Sequence, residues 1–239
     1  MNTNTLSQPV SGEMNATFEF DNYDPNKLAT DEVINAVFVA DVSGSVSSYV
    51  NELTKAYNDM KNELAKSHVR ERLLLSTVMF NTDIVSKTGF QPVTSVPDTD
   101  FAPFIAGSTS LYRSSLASLQ NAIDYRNSLE NSGIGSKTLI FVITDGGDTE
   151  GAAGLGDALR VKTMIQDLLK EERNYGSFTS ILFGIGGDQS SFKAAKDEMG
   201  FQHLGVISQS AADIRKMINF ISASISSTAA GQAISSPNF

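Results

Sequence analysis

Four near-continuous apolar runs constrain the fold of this chain more than any other feature of its sequence. They are rich in Val, Ile and Phe: VINAVFVAD at 33–41, LLLSTVMF at 73–80, TLIFVITD at 138–145 and FTSILFGIG at 178–186. A strand that is covered on both faces has this composition, because neither face has to be polar. The runs therefore predict a parallel sheet with helices packed on both sides.

Between the apolar runs, apolar residues recur every three or four positions, which is the period of an amphipathic helix. The first such stripe follows a predicted cap at Ser47 or Ser48 and consists of Val50, Leu53, Tyr57, Met60 and Leu64. Similar stripes predict further helices within 116–129, 155–169, 192–199 and 214–225. Strands that alternate with helices are typical of an α/β doubly wound fold.

One strand must run against the others. DIVSKTGF at 83–90 follows the second apolar run after only Asn81 and Thr82, and so short a gap permits a hairpin but no parallel crossover. A weaker last strand is predicted at 202–207. We therefore expect an α/β doubly wound, Rossmann-like three-layer sandwich with a mostly parallel six-stranded sheet and one antiparallel edge strand.

The chain has no internal repeat and no linker long enough to divide it, so we expect one domain at 31–226. Residues 1–30 are polar and mixed, which indicates an N-terminal extension. Residues 227–239 are small and polar, which indicates a flexible C-terminal tail.

Composition excludes several classes of function. A formal net charge of −9 argues against nucleic-acid binding, which requires Lys and Arg to neutralise phosphates. The absence of cysteine removes disulfides, thiolate metal sites and a cysteine nucleophile. The N-terminus lacks the pattern of a signal peptide, and no stretch approaches the ~18 apolar residues of a membrane helix. We expect a cytoplasmic protein with neither a nucleic-acid nor a membrane partner.

Two strands end on an aspartate, Asp41 and Asp145. Ligands of such sheets bind beyond the carboxyl ends of the strands, and if the strand order is 3-2-1-4-5-6 these two strands are neighbours where that order reverses. Asp41, Ser43 and Ser45 alternate, so an extended backbone would present their oxygens to one side. Oxygen ligands without histidine or sulfur suit Mg²⁺, Mn²⁺ or Ca²⁺ and not zinc. The pattern predicts a divalent cation at this end of the sheet.

The segment DVSGS at 41–45 resembles the Asp-x-Ser-x-Ser signature of von Willebrand factor type A (VWA) domains, where it forms a metal-ion-dependent adhesion site (MIDAS). Thr109, in AGSTSLYRSSL, matches the family's threonine before a helix. Asp145, in VITDGGDTE, matches its aspartate after the fourth strand. The resemblance covers about residues 30 to 226, and it departs from the family at Ser108, where glycine is common.

The resemblance implies an intact MIDAS with Ser43, Ser45 and Thr109 near the metal and Asp41 and Asp145 often acting through water. It also implies a coordination position left for an acidic side chain of a partner protein. Neutral hydroxyls leave the ion electron-poor, so a carboxylate shielded from water binds it strongly. The chain is similar to intracellular bacterial or phage members of the family, which are non-enzymatic adaptors that include tellurium-resistance-type proteins and partners of AAA+ ATPases.

Each candidate residue also has a purely structural interpretation. The 41–45 segment could form a helix N-cap with turn serines, Thr109 could cap the helix that starts near Leu111, and Asp145 could cap its own loop. Asp148 and Glu150 are interpreted as exposed loop acids. FGIGGDQSS at 183–191 lacks the lysine of a phosphate-binding loop, and we interpret it as a sharp turn into a helix capped by Asp188 or Ser190.

Three functional alternatives remain. A Mg²⁺-dependent phosphohydrolase of the haloacid-dehalogenase type also begins with an aspartate at the end of its first strand, but it requires a second acid two residues later, where this chain has Ser43. A secreted or surface adhesin is the second alternative. The third is an intact but idle metal site, with partner contacts made by helices or by the first 30 residues.

Overall fold

The computed structural model describes residues 19–171 and 177–239. These residues form six strands and five α-helices, with an α-helix between consecutive strands everywhere except between the second and the third. The strands are β1 Glu32–Asp41, β2 Leu73–Phe80, β3 Ile84–Pro92, β4 Gly135–Thr144, β5 Phe178–Ile185 and β6 His203–Ile207. The α-helices are α1 Val50–Leu64, α2 Leu111–Asn131, α3 Ala152–Glu171, α4 Gln189–Met199 and α5 Ala211–Ala229.

The strands form one sheet in the order β3-β2-β1-β4-β5-β6. Every neighbouring pair is parallel except β2 with β3, which is the antiparallel hairpin expected from the short gap between them. The predicted doubly wound, three-layer fold with an antiparallel edge strand is confirmed. The strand order reverses between β1 and β4, so the crevice between their carboxyl ends is the switch point of the sheet.

Residues of β1 alternate between two hydrophobic clusters. Ala36 and Phe38 belong to the cluster that α1 and α5 cover. Val37 and Val39 belong to the opposite cluster, which α2, α3 and α4 cover. Both faces of the central strand are therefore apolar, and this explains why its sequence is a continuous apolar run.

The predicted cap of the first helix is wrong. Gly44–Ser48 forms a 3-10 turn, and α1 starts at Val50 with Tyr49 in the N-cap position and no side-chain cap bond. The Tyr49 side chain is buried in the core, so packing sets this boundary instead of a serine hydroxyl. The turn before α4 is confirmed: Asp188 is its N-cap and accepts a hydrogen bond from the Ser190 amide.

The predicted domain limits remain predictions, although both ends contact the sheet. At the N-terminal side, the Tyr23 amide donates to the Phe90 carbonyl of β3 at 2.8 Å. At the other end, α5 continues to Ala229, past the predicted domain limit at 226. The Phe239 ring packs against that of Phe183 in β5, with 6.1 Å between the ring centroids. Most of the predicted N-terminal extension, residues 1–18, lies outside the described residues. Among the described helices, none has the length and apolarity required to cross a membrane.

Candidate metal centre

The carboxyl ends of β1 and β4 lie side by side and bring the first predicted residues together. The Asp41 side chain is buried, with 1% of the residue exposed. Its Oδ1 accepts a hydrogen bond from the Ser43 amide at 2.7 Å, and its Oδ2 accepts one from the Thr144 hydroxyl at 2.7 Å. These two donors fix the orientation of the carboxyl group at the rim of the sheet.

A line of side-chain oxygens joins the β1 loop to the β4 loop. The Ser43 and Ser45 hydroxyl oxygens lie 3.2 Å apart, and the Ser45 hydroxyl donates to Asp145 Oδ1 at 2.7 Å. The prediction that an extended backbone aligns Asp41, Ser43 and Ser45 is wrong for Ser45, because the chain enters the 3-10 turn at Gly44. The turn itself places the Ser45 hydroxyl beside that of Ser43.

The loop that carries Thr109 lies against the β1 loop. The Ala106 amide donates to the Val42 carbonyl at 3.1 Å, and the Gly44 amide donates to the Gly107 carbonyl at 3.2 Å. Gly107 has a φ of +65°, and a Cβ at this position would lie 2.2 Å from the Thr82 hydroxyl oxygen. Only glycine allows this loop to turn so close to Thr82.

Thr109 itself is buried and is held by the loop that follows Asp145. Its carbonyl accepts hydrogen bonds from the Thr149 amide and the Thr149 hydroxyl, both at 2.9 Å. The alternative in which Thr109 caps α2 is wrong, since the N-cap residue is Ser110 and it makes no side-chain cap bond. Instead, Asp148 Oδ1 accepts a hydrogen bond from the Tyr112 amide in the first turn of α2.

Asp148 and Glu150 are not the exposed loop acids that the sequence indicated. Both are half-buried, and Asp148 Oδ2 accepts from the Glu150 amide at 2.9 Å while the Glu150 carboxylate accepts from the Ser110 hydroxyl. No local sequence pattern reveals this arrangement, because the two acids bind groups about 40 positions earlier. The sequence also gave no indication that the rim would include Thr144, Tyr49 and Thr149.

The electrostatics of the rim favour a cation. Burial raises the pKa of the Asp41 carboxyl, and repulsion from Asp145 raises it further, while hydrogen bonds from Ser43 and Thr144 oppose the shift. The pKa of the Tyr49 hydroxyl is also raised, by burial and by the negative charges of Asp145 and Asp41. A divalent cation between the two carboxyl groups would relieve this repulsion.

The donor set fits a hard divalent ion. The described residues contain no cluster of three or more His, Cys, Asp or Glu side chains placed to hold a metal. The predicted site has only two carboxylates and takes its other donors from the hydroxyls of Ser43, Ser45 and Thr109. Hydroxyl and carboxylate oxygens are suitable ligands for Mg²⁺ and Mn²⁺.

Comparison with known proteins gives a fold relationship. No family model matches the sequence, and no curated protein matches it. Among solved structures, the pilus adhesin SpaC from Lactobacillus rhamnosus GG, in an open conformation, matches with a TM-score of 0.56 at 13% identity over 82% of this chain. A mutant of the PilB minor pilin from Streptococcus sanguinis matches with a TM-score of 0.54 at 13% identity over 83% of this chain.

A von Willebrand factor type A protein from Catenulispora acidiphila matches with a TM-score of 0.50 at 15% identity over 82% of this chain. The chain has the fold of a VWA domain. It spans only 30% of the SpaC chain, 62% of the PilB chain and 43% of the Catenulispora chain. At these identities the likeness concerns the fold alone.

Proposed function

We propose that this protein is a metal-dependent protein-interaction module whose MIDAS holds a divalent cation at the switch point of the sheet. Ser43, Ser45 and Thr109 would hold the ion through their hydroxyls, with Asp41 and Asp145 nearby. The observation that carries the proposal is the continuous hydrogen-bonded line from Ser43 through Ser45 to Asp145, which joins two loops at the rim.

The bound cation, Mg²⁺ or alternatively Mn²⁺ or Ca²⁺, would supply a positive centre for an Asp or Glu of the partner. This chain carries a net charge of −9, so a carboxylate approaching the rim without the ion would be repelled by Asp41 and Asp145. The chain's own contribution is to hold neutral hydroxyls together and to keep two carboxylates at a fixed separation. The metal therefore decides whether an acidic partner can dock.

We propose that the module is non-enzymatic and acts in the cytoplasm as an adaptor of the intracellular bacterial or phage type, with a subunit of a larger complex such as an AAA+ ATPase as its partner. The lack of cysteine supports this assignment, since nothing in the chain requires an oxidising compartment. Ser43 argues against the phosphohydrolase alternative, which needs a second acid two residues after Asp41.

A surface adhesin is the second candidate. It is favoured by the structural likeness to the pilus adhesin SpaC and to the PilB minor pilin. In that setting the same rim would bind a carboxylate of a host or matrix protein. Both candidates use the same site and differ only in the compartment and partner.

Affinity capture from native lysate in Mg²⁺, and again in EDTA, tests the proposal. The wild-type chain should retain a partner only in Mg²⁺, and Ser43→Ala should lose it. Ser48→Ala is the matched control, because Ser48 is an exposed serine of the same turn and lies outside the predicted ligand set. Capture that survives both EDTA and Ser43→Ala would reject the metal-dependent module. Turnover of an aryl phosphate that Asp41→Asn abolishes would favour the phosphohydrolase.

A further inference from the structure

The loop after Asp145 does more than carry that aspartate to the rim. Its residues 148–150, here called the clasp, make hydrogen bonds to three residues of the segment that enters α2. Asp148 accepts from the Tyr112 amide, Thr149 bonds to the Thr109 backbone, and Glu150 accepts from the Ser110 hydroxyl. The clasp therefore joins the Asp145 loop to the Thr109 loop.

Thr149 lies at the centre of the clasp, and both its hydroxyl and its backbone amide form hydrogen bonds with Thr109. Its hydroxyl donates to the Thr109 carbonyl at 2.9 Å and also accepts from the Thr109 amide at 3.1 Å. Its own amide donates to the same carbonyl at 2.9 Å. Thr149 thus fixes the backbone of Thr109 on both its donor and its acceptor side.

Asp148 of the clasp packs closely against the first turn of α3. A Cβ at Gly154, in the first turn of α3, would lie 2.1 Å from Asp148 Oδ2, so glycine leaves the space that the Asp148 carboxylate occupies. Asp148 in turn accepts from the Glu150 amide at 2.9 Å. These contacts hold the backbone on either side of Thr149 and leave its hydroxyl aimed at Thr109.

We infer that Thr149 is a positioning residue for the metal centre: its hydroxyl holds Thr109 in register with Asp145, so that donors from separate loops face one cation. The inference rests on the proposed function, since it concerns the geometry of the same site. Thr149 is not a ligand in this scheme. It acts through the Thr109 backbone, and Asp145 is four positions away on the same loop.

Metal affinity in three variants tests the role. Removing one hydroxyl that bonds the backbone should weaken Mn²⁺ binding by about three- to tenfold in Thr149→Val, measured by calorimetric titration. Thr149→Ser keeps the hydroxyl and should bind within about twofold of the wild type. Thr163→Val is the matched control and should leave Mn²⁺ affinity unchanged. The exposed Thr163 hydroxyl also donates to a backbone carbonyl, that of Leu159 at 2.9 Å, but it lies on α3 away from the rim.

A second measurement does not depend on metal. In the metal-free protein, amide hydrogen exchange at Thr109 should be faster in Thr149→Val than in the wild type, and Thr149→Ser should restore slow exchange. Wild-type Mn²⁺ binding that Thr149→Val leaves unchanged overturns the inference while the proposed function stands. A wild-type chain that binds neither Mn²⁺ nor Mg²⁺ overturns both. Equal Thr109 exchange in Thr149→Val and the wild type likewise overturns the inference.

Discussion

The Ser45 hydroxyl donates a hydrogen bond to Asp145 Oδ1 over 2.7 Å although the two residues are 100 positions apart. The contact exists because β1 and β4 are parallel neighbours, so the loops that follow them leave the sheet at the same rim. It links two of the predicted ligands directly. In the proposed function, a cation held by the Ser45 hydroxyl would compete with this hydrogen bond.

Asp41→Asn should stabilise the metal-free protein at pH 7. Burial raises the pKa of Asp41, so folding favours the protonated carboxyl. The stability that this protonated carboxyl contributes is present below the unfolded pKa and is lost as pH rises through the folded pKa. Asparagine can accept from the Ser43 amide and donate to the Thr144 hydroxyl, whose proton then bonds the Gly146 carbonyl 3.0 Å away. Urea denaturation of both proteins measures the difference in the free energy of unfolding.

The pH dependence provides the control for that prediction. At a pH well below the unfolded pKa of 3.8, Asp41 is protonated in both the folded and the unfolded protein. The stability advantage of Asp41→Asn over the wild type should therefore vanish there. An advantage that is equal at pH 3 and pH 7 would show that the gain does not come from the charge of Asp41.

Gly107→Ala should destabilise the folded protein by about 2–3 kcal/mol. The alanine would have to adopt a left-handed backbone conformation, and its Cβ would clash with Thr82. Gly133→Ala is the matched control: its φ is +78°, but a Cβ there meets no atom within 4 Å. It should cost only about 1 kcal/mol from the backbone term. Equal losses in the two denaturation curves would show that the contact with Thr82 has no role.

Mg²⁺ should raise the free energy of unfolding by mass action, by about 2.7 kcal/mol at a free concentration of one hundred times the dissociation constant. Asp145→Asn should lose most of this gain, since it removes one of the two carboxylates that balance the ion. Asp167→Asn changes an exposed acid on α3, paired with Lys170 at 2.9 Å, and should keep the gain. Thermal unfolding with and without Mg²⁺ checks all three proteins. A gain retained in Asp145→Asn would place the ion elsewhere.

Phe239→Ala should cost about 1 kcal/mol, since the residue is 47% exposed and its ring contacts only those of Phe183 and Phe220 among the ring pairs described, with centroids 6.1 Å and 5.8 Å away. Asn238→Ala changes the exposed neighbour and should leave the denaturation midpoint unchanged. A Phe239→Ala midpoint equal to that of the wild type would support the predicted flexible tail over the packed one.

The fold could be predicted from the sequence because its signals are local. A continuous apolar run identifies a strand buried on both faces, and the two-residue gap before 83–90 fixes the antiparallel edge by chain length alone. The ends of the helices were harder to predict from the sequence. The first helix begins at Val50 because the Tyr49 ring is buried, and burial is a property of the packed molecule.

The sequence by itself determined the class of sheet and its antiparallel edge strand, because periodicity and gap length are carried by neighbouring residues. The strand order β3-β2-β1-β4-β5-β6 came from the tertiary structure. Only the tertiary structure decided that Ser45 meets Asp145 through a 3-10 turn, and that Asp148, Thr149 and Glu150 bind the entrance to α2. These contacts join residues about 40 to 100 positions apart. Their partners are set by which loops the sheet brings to one rim, and no local pattern encodes that distance.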